Sequence, residues 1–307
     1  MKCRVCRATA SVEVRRHNAA FCKPHFLRHV EHAVAKAIRK FAMFTHGDRL
    51  LLGVSGGKDS LALWDILTRL GYAVDGVYLD LGIPGYSGAS GALAREFASA
   101  RGLHLDVRAV ASVAGFTIPE AAAASGRVPC SACGLSKRYL LNQAALDGGY
   151  EVLVMGHNLD DEAATLFANV LTWDIEPLGR QAAVLPARPG LVRKAKPLVR
   201  VAERETAAYC VLAGIPYEVD ECPLAAGNSS LAHKAVLDRL EAEHPGAKNR
   251  LVFGYLDRAA PLFAPHSGHS AVHACATCGQ PTTGEVCAFC RLRSRVAGSR
   301  LADQPGP

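Results

Sequence analysis

Hydrophobic residues recur along this chain in two alternating patterns between positions 50 and 171. Short apolar runs predict buried strands, and segments with an apolar residue at every third or fourth position predict amphipathic helices. The predicted strands span 50–54, 73–79, 103–107 and 151–155, and the predicted helices span 60–70, 91–101, 134–147 and 160–171. This alternation predicts an α/β fold built on a Rossmann-like, doubly wound parallel sheet.

Further helical patterns flank this region. Residues 26–44 carry an apolar stripe opposite a basic face, which predicts an amphipathic helix. The basic segment 188–204 is punctuated by Pro and Gly and predicts a loop with an edge strand. Three later helices are predicted at 201–213, 229–243 and 248–258.

A glycine-rich loop follows the first predicted strand. The strand ends at Ser55-Gly56-Gly57-Lys58-Asp59-Ser60, and a helical pattern begins at once. Glycines let the backbone approach a ligand, the helix N-terminus offers free N–H groups, and Lys58 adds a positive charge. The loop is therefore predicted to cradle an anion, although its spacing differs from the GxxxxGK[ST] loop of ordinary nucleotide hydrolases.

A second strand–helix junction lies at Gly156-His157-Asn158-Leu159-Asp160-Asp161. Ligands of doubly wound sheets bind at the carboxyl ends of the strands, so this junction and Leu79–Asp80 should reach the same edge as the glycine loop. Asp160 and Asp161 can cap the helix, and they can hold Mg²⁺ or hydrogen-bond a nucleotide. Together the two junctions favour a nucleotide site.

The charge of the chain is placed unevenly. The 307 residues carry a formal net charge of +7, and residues 1–48 account for all of it, with ten Lys or Arg against three Asp or Glu. A basic module on a neutral body favours a nucleic-acid partner, with Arg15, Arg16, Lys36 and Arg39 as phosphate contacts. We expect a cytoplasmic protein without a membrane partner, because there is no apolar run of about 18 residues and no apolar signal core.

Eleven cysteines are spaced for metal binding rather than for disulfides. Two CxxC-type knuckles that face each other supply four ligands in the tetrahedral geometry of structural zinc. The chain has one such set at each end and is predicted to bind two Zn²⁺: Cys3, Cys6, Cys22 and His25, and Cys275, Cys278, Cys287 and Cys290. The predicted domains are 1–47 (zinc finger and basic helix), 48–265 (catalytic domain) and 266–307 (a linker, zinc ribbon and tail).

Three further cysteines form a different kind of set. Cys130 and Cys133 sit between Pro129 and Gly134 on a predicted loop, and Cys222 is the candidate third member. Three cysteines cannot close a structural zinc site. They can hold a [4Fe–4S] cluster at three corners, or supply a nucleophile and a resolving thiol. Cys210 lies on an amphipathic helix and is predicted to be a core residue.

The glycine loop, the Cys130-x-x-Cys133-Gly134 motif, the Gly156–Asp161 motif and the late Cys222 together resemble the tRNA 2-thiolation enzymes of the PP-loop ATP pyrophosphatases. With a metal-type module at each end, the chain is similar throughout to the TtuA subgroup. The related TtcA branch, which makes 2-thiocytidine, shares the loop and the cysteine triad but lacks both zinc modules.

The resemblance implies a reaction. ATP adenylates O2 of the T-loop 5-methyluridine at position 54 of tRNA, and sulfur then replaces that oxygen. The sulfur comes from the C-terminal thiocarboxylate of a ubiquitin-like carrier protein and binds the open iron of a [4Fe–4S] cluster. The implied cofactors are ATP, Mg²⁺, this cluster and two Zn²⁺, and the implied partners are tRNA, the carrier and a second copy of the chain in a homodimer.

The resemblance also assigns residues. Catalytic roles fall on Lys58, Asp59, Cys130, Cys133 and Cys222, the three cysteines being the cluster ligands. The implied ATP-binding residues are Gly53, Ser55, Gly56, Gly57, Lys58, Asp59, Ser60, Leu79, Lys137, Gly156 and Asp161.

Alternatives remain open at this point. The enzyme could act through a cysteine persulfide without a cluster, or on the wobble uridine or a cytidine. A zinc-ribbon RNA-binding protein with a degenerate nucleotide fold is a further alternative, against which the intact glycine loop and the cysteine triad speak.

Overall fold

The N-terminal module is a hairpin followed by a long helix. The structure is a computed structural model that describes residues 1–126, 128–264 and 272–302. Strands β1 (Val12–Val14) and β2 (Ala19–Phe21) pair antiparallel around a short 3₁₀ turn, and helix α1 spans Lys23–Lys40. The predicted helix 26–44 is displaced, because a proline opens the first turn and Ala42 takes φ +45°, which ends the helix.

A six-stranded sheet forms the centre of the protein. Its strands are β3 (Leu50–Val54), β4 (Val74–Asp80), β5 (Leu105–Ala109), β6 (Val152–Val154), β7 (Val184–Leu185) and β8 (Arg193–Ala195). Their spatial order is β5-β4-β3-β6-β8-β7, and all neighbours are parallel except β7 with β8. The predicted doubly wound sheet is confirmed. The prediction that the basic segment 188–204 contains an edge strand is wrong. Its strand, β8, lies between β6 and β7, and β7, which was not predicted, forms the edge of the sheet.

Helices cover both faces of the sheet. They are α2 (Lys58–Arg69), α3 (Ser87–Arg101), α4 (Val110–Ala114), α5 (Ile118–Ser125), α6 (Pro129–Asp147), α7 (Leu159–Thr172), α8 (Ile175–Arg180), α9 (Glu203–Ala213), α10 (Ser229–Glu243), α11 (Ala247–Gly254) and α12 (Ala260–Phe263). Side chains alternate along a strand. Leu50 and Leu52 therefore enter a core with α1, α2 and α9, while Leu51 enters a second core with α5 and α6.

The prediction that Cys130 and Cys133 lie on a loop is wrong. Helix α6 begins at Pro129 rather than at Gly134, so Cys130 and Cys133 lie in its first turns. A proline at the first helical position has its φ already set for a helix, which extends the element toward the N-terminus. The region before it holds α4 and α5, and a capping box between Thr117 and Glu120 starts α5. The predicted helix 248–258 is divided, since α11 ends at Gly254 and a π-helical turn follows.

The C-terminal module packs against α5 and α6. Strands β9 (His273–Ala274) and β10 (Pro281–Thr282) form a small hairpin, and helix α13 spans Ala288–Ala302. The ring of Phe289 stacks on that of Tyr139 with centroids 3.8 Å apart. The predicted domain boundaries remain predictions, and much of the predicted linker 266–273 and the tail 305–307 lie outside the described residues.

The N-terminal module is joined to the central domain by a buried ion pair. Arg16 donates to both carboxylate oxygens of Glu205, at 3.0 and 2.6 Å, and to the carbonyl oxygen of Arg200 at 2.9 Å. The side chains of Arg16 and Glu205 are 7% and 8% exposed. The prediction that Arg16 contacts phosphate is therefore wrong, whereas Arg15, Lys36 and Arg39 are exposed.

None of the helices within the described ranges is long and apolar enough to span a bilayer.

We expect Arg16→Ala to destabilise the protein by about 3 kcal/mol or more, because it leaves the Glu205 carboxylate buried without its partner. The measurement is the midpoint of urea unfolding. Arg15→Ala, which removes a neighbouring exposed arginine, should change the free energy of unfolding by less than about 0.5 kcal/mol. Equal midpoints for the two variants would contradict a joining role for Arg16.

Candidate functional site

The glycine loop makes a tight turn between β3 and α2. Gly56 has φ +77°, and a Cβ atom there would lie 2.2 Å from the carbonyl oxygen of Ser90. Only glycine satisfies both constraints. The Ser60 hydroxyl donates to the Gly57 carbonyl at 3.0 Å and accepts from the Ser55 N–H at 3.1 Å. This hydroxyl therefore closes the loop, and Gly57 immediately precedes the first residue of α2.

A cavity of about 260 Å³ opens at the carboxyl edge of the sheet beside this loop. Seven residues predicted to contact ATP line it: Gly53, Ser55, Asp59, Ser60, Leu79, Lys137 and Gly156. The side chains of Tyr78, Tyr86 and Leu141 add an apolar wall. Lys58, Gly56, Gly57 and Asp161 are not part of the lining. The cavity thus has a polar side at the loop and an apolar side, as an adenine nucleotide requires.

Lys58 belongs to a chain of alternating charges. Its ammonium lies 2.8 Å from Glu203 and 3.6 Å from Asp59, and Glu203 also binds Lys234 at 2.9 Å. Lys234 in turn lies 2.6 Å from Asp161. Burial alone would lower the pKa of Lys58, but Asp59 and Glu203 outweigh it and raise that pKa. Lys58 is therefore a cation held by carboxylates next to the loop.

Glu203 is the anion that links the two lysines. Burial acts to raise its pKa, but hydrogen bonds from Lys58 and Lys234 prevail and lower it to about 2. Glu203 is therefore ionised at neutral pH. Glu203 is 145 positions from Lys58 in the sequence and reaches the glycine loop because it lies at the start of α9.

Asp59 is fixed by two neutral donors. Thr206 Oγ1 donates to its carboxylate at 2.5 Å and Asn158 Nδ2 at 3.1 Å. Burial raises the pKa of Asp59, and Lys58 opposes that shift. Thr206 is distant in sequence and carries no motif, so the sequence offered no signal for it.

The two acidic residues of the second junction are already occupied. Asp161 caps its own helix through the Asn158 N–H at 3.1 Å. Asp160 binds the ammonium of Lys248 and accepts the Glu203 N–H at 2.8 Å. Asp160 is therefore a buried structural carboxylate, whereas Asp161 is partly exposed and lies within the charge chain.

The three central cysteines lie close enough for their thiols to interact electrostatically, on the Tyr86 side of the cavity. Cys130, Cys133 and Cys222 are half-buried, and all three lie outside disulfides. A backbone hydrogen bond of 3.0 Å from the Glu218 N–H to the Gly56 carbonyl holds the segment before Cys222 against the glycine loop. Burial first, and then the thiols of Cys133 and Cys222, raise the pKa of Cys130, while Lys137 opposes this.

This triad differs from a closed four-ligand site. Within each terminal set, the four ligand atoms lie within 4.8 Å of one another. Among the described residues, the thiols of the triad do not form a group as tight as this. A donor set of three partly exposed thiols that leaves one position open fits a [4Fe–4S] cluster held at three corners.

The two terminal sets have the geometry of zinc ligands. The Sγ atoms of Cys6 and Cys22 are 3.6 Å apart, and those of Cys278 and Cys287 are 3.8 Å apart. A tetrahedral ion with Zn–S bonds of about 2.3 Å separates its sulfurs by about 3.8 Å. His25 presents Nδ1 to Cys22 at 3.1 Å, so the imidazole belongs to the first set.

Backbone N–H groups stabilise the thiolate form of one cysteine in each set. Burial would raise the pKa of Cys3, but N–H groups of Cys22, Cys6 and Val5 lower it to about 6. The Cys287 N–H donates to Cys275 Sγ at 3.2 Å and, with the N–H groups of Thr277 and Cys278, lowers the pKa of that thiol to about 6 although burial acts to raise it.

Comparison with known proteins identifies the family. The family model described as a PP-loop domain matches residues 26–226, and that described as 2-thiouridine synthetase TtuA, N-terminal LIM domain, matches residues 2–27. A tRNA-5-methyluridine(54) 2-sulfurtransferase of Thermus thermophilus is 48% identical over 296 residues, which cover 96% of this chain and 92% of the relative. The chain belongs to the TtuA family.

Other relatives agree with this assignment. The tRNA-5-methyluridine(54) 2-sulfurtransferase of Pyrococcus horikoshii is 38% identical, over 95% of this chain and 93% of the relative. The solved structure of the U34-tRNA thiolase NcsA from Methanococcus maripaludis with its [4Fe-4S] cluster matches with a TM-score of 0.83 and 26% identity, over 96% of each chain. The TtuA-family chain is thus an enzyme of the sulfur-transferring class with a PP-loop fold.

We expect Lys58→Ala to lower the rate of ATP-dependent turnover by about 10²-fold or more, because it would remove a cation from the loop that we propose holds the phosphates of ATP. Steady-state pyrophosphate release measures it. The melting temperature should be nearly unchanged, since Glu203 keeps Lys234 as a partner. Arg239→Ala, which removes an exposed arginine paired with Glu243 on α10, is the matched control. Turnover near that of the control would mean that Lys58 serves the loop only as a structural residue.

We propose that the terminal sets hold zinc, so the purified protein should contain about two zinc ions per chain. Cys6→Ser and Cys287→Ser should each reduce this to about one, measured by inductively coupled plasma mass spectrometry. Cys210→Ser alters a buried thiol outside both sets and should retain both ions. Full zinc content in the Cys6→Ser and Cys287→Ser variants would exclude these ligands.

Proposed function

We propose that this enzyme uses ATP to replace O2 of 5-methyluridine 54 of tRNA with sulfur. Two relatives that align over nearly the whole chain carry the name of that activity, at 48% and 38% identity. The NcsA structure, a U34-tRNA thiolase, is more distant at 26% identity, which favours position 54 over the wobble uridine.

One observation within the chain supports the chemistry. Cys130, Cys133 and Lys137 are spaced at i, i+3 and i+7 on α6 and so share one face of that helix. Lys137 lies in the wall of the 260 Å³ cavity beside the glycine loop, which we call the nucleotide cavity. The hydrogen bond between Glu218 and Gly56 holds the segment before Cys222 on the same side of the protein as the other two cysteines. An activated base in the cavity would therefore meet a sulfur-carrying site along a single rigid element.

In the first step, the base O2 attacks the α-phosphorus of ATP, the bond to the bridging oxygen breaks, and pyrophosphate leaves. The loop N–H groups around Gly56 and Gly57 would hold the phosphates, and Lys58 would leave Glu203 to neutralise the departing charge. Backbone atoms of Gly53 and Leu79 would frame the adenosine. Asp161 would hold Mg²⁺ or the nucleotide once Lys234 moves away.

In the second step, a sulfur nucleophile adds to C2 and AMP leaves with the former O2. Lys137 would stabilise the negative charge on the adenylate as this bond breaks. A [4Fe–4S] cluster on Cys130, Cys133 and Cys222 would supply an iron corner without a protein ligand, at which sulfur can bind.

The same proposal includes the partners. The sulfur donor is the thiocarboxylate of a small ubiquitin-like carrier, the enzyme works in the cytoplasm, and two copies form a homodimer. The exposed cations of the N-terminal module, including Arg15, Lys36 and Arg39, would contact tRNA phosphates.

Cys222→Ser tests the proposed role of the triad. We expect iron content and thiolation to fall together while ATP and tRNA still bind, because the variant loses one corner ligand. Nucleoside mass spectrometry of unmodified tRNA after reaction measures the product and its position, and metal analysis of anaerobically purified protein measures the iron. Cys210→Ser, which changes a cysteine outside the triad, should keep both iron and activity.

Other results would point elsewhere. Suppose that wild-type protein without iron is fully active and that its Cys222→Ser variant loses thiolation. That pair of results would favour a cysteine persulfide. Unchanged thiolation and iron would mean that Cys222 is structural. Sulfur found at a nucleotide other than 54 would contradict the proposed target but not the reaction.

A further inference from the structure

A second cavity lies on the opposite face of α6 and has no part in the proposed reaction. Its volume is about 460 Å³, and it opens between the β7–β8 side of the central sheet and the C-terminal module. Leu135, Arg138 and Tyr139 contribute to it, whereas Lys137 and Leu141 of the same helix line the nucleotide cavity. The mean directions of these two sets of positions differ by about 130° around a helix, so the two cavities lie on different faces of α6.

The second cavity has a strongly positive lining. Arg138, Arg180, Arg188 and Lys194 line it, and none of its described lining residues is Asp or Glu. Arg180 pairs with Glu176 on its own helix. Among the residues that the structure describes, the other three cations form no ion pair. Three cations that converge without an acidic partner favour an anionic ligand.

Lys194 lies at the inner side of this cation cluster. It alternates along β8 with Arg193 and Ala195 and stands beside Leu153, whose side chain belongs to the α6 core. Burial, together with Arg138 and Lys196, lowers the pKa of Lys194. An anion placed between Lys194 and Arg138 would reduce the repulsion between these two cations.

Arg188 is held by a rigid turn. Arg188 and Leu191 exchange two backbone hydrogen bonds of 2.9 and 2.8 Å around Pro189 and Gly190, and Gly190 has φ +75°. The side chain of Asn142 on α6 donates to the Gly190 carbonyl at 2.9 Å and accepts the Val192 N–H at 3.2 Å. The backbone that presents this arginine is therefore fixed before any ligand binds.

The remaining walls are apolar and aromatic. Tyr139 and Phe289, stacked on one another, lie beside Leu185, Pro186 and Pro281. One arginine guanidinium can bind two phosphate oxygens at once, and an unstacked base can pack on aromatic and apolar side chains. A nucleotide uses both features, whereas a free inorganic anion would use the cations alone.

We propose that this cavity binds a phosphate and its neighbouring base from the tRNA, outside the reacting nucleotide. This inference rests on the proposed function, because it takes tRNA as the polyanion present. Binding here would hold the RNA on one face of α6 while the reacting base enters the cavity on the other.

The test is the salt dependence of tRNA binding by an Arg138→Ala/Arg188→Ala double variant. Both arginines are exposed and neither contacts the nucleotide cavity. We expect the affinity for an unmodified tRNA transcript to fall by about tenfold, and the slope of log K against log salt to fall by about two. The matched control is Arg239→Ala/Arg258→Ala, which removes two exposed arginines away from the cavity. ATP binding should stay the same in both double variants.

Each other outcome contradicts the assignment. A double variant with the affinity and slope of the control would show that the cavity does not hold tRNA. Unchanged tRNA binding with lost thiolation would assign the cavity to a protein partner instead of RNA. A wild-type protein that binds no tRNA would overturn the proposed function as well, which separates the two failures.

Discussion

The geometry of helix α6 is the constraint on which the site depends. Residues at i, i+3 and i+7 share a face, so Cys130, Cys133 and Lys137 are fixed relative to one another by backbone hydrogen bonds alone. The opposite face is fixed by packing, because Tyr139 stacks on Phe289 of the C-terminal module. A helix packed on one face keeps Cys130 and Cys133, on the other face, in register with Lys137 in the wall of the cavity beside the glycine loop, and it leaves Cys222 to be positioned by that loop.

The charges around that loop follow from the cost of burial. A partly buried lysine or carboxylate without a partner would be strongly disfavoured, so Lys58, Glu203, Lys234 and Asp161 alternate in sign along one chain. The arrangement keeps the cations close to where phosphates would bind without leaving them unpaired. In the proposed reaction a nucleotide would compete with Glu203 for Lys58. Such competition would let the site stay folded without ATP and still supply positive charge when the phosphates arrive.

The parts of this structure that are decided by residues adjacent in the sequence were predictable. The strand that ends at Val54, the glycine loop and α2 follow from local pattern, and so does the spacing of both metal sets. Contacts between distant residues that carry no motif were not predictable: Arg16 and Glu205 are 189 positions apart, and Thr206 and Asp59 are 147 positions apart. The same limit explains why Arg16 was predicted as a phosphate contact, since nothing near it in sequence indicates a buried partner.

The start of α6 shows a different limit. Pro129 and Gly134 favour a loop by composition, but a proline in the first turn fits a helix N-terminus, and Ala132 is buried against the second core. Tertiary packing therefore decided between two local alternatives. The choice matters for function, because on a flexible loop the cysteines could follow either metal or substrate, whereas on a helix their separation is set before either binds.

The two terminal modules stabilise the enzyme in different ways. Val14, Phe21 and Phe26 of the first module enter the same core as Leu50 and Leu52, so this module completes the hydrophobic interior of the catalytic domain. The second module adds Phe289 and Leu292 to the core behind α6 and closes one side of the basic cavity. Under the proposal that both sets hold zinc, loss of metal from the first set should therefore affect the stability of the whole domain. Loss from the second should first loosen the outer face of α6, and with it the alignment of the cysteines on the inner face.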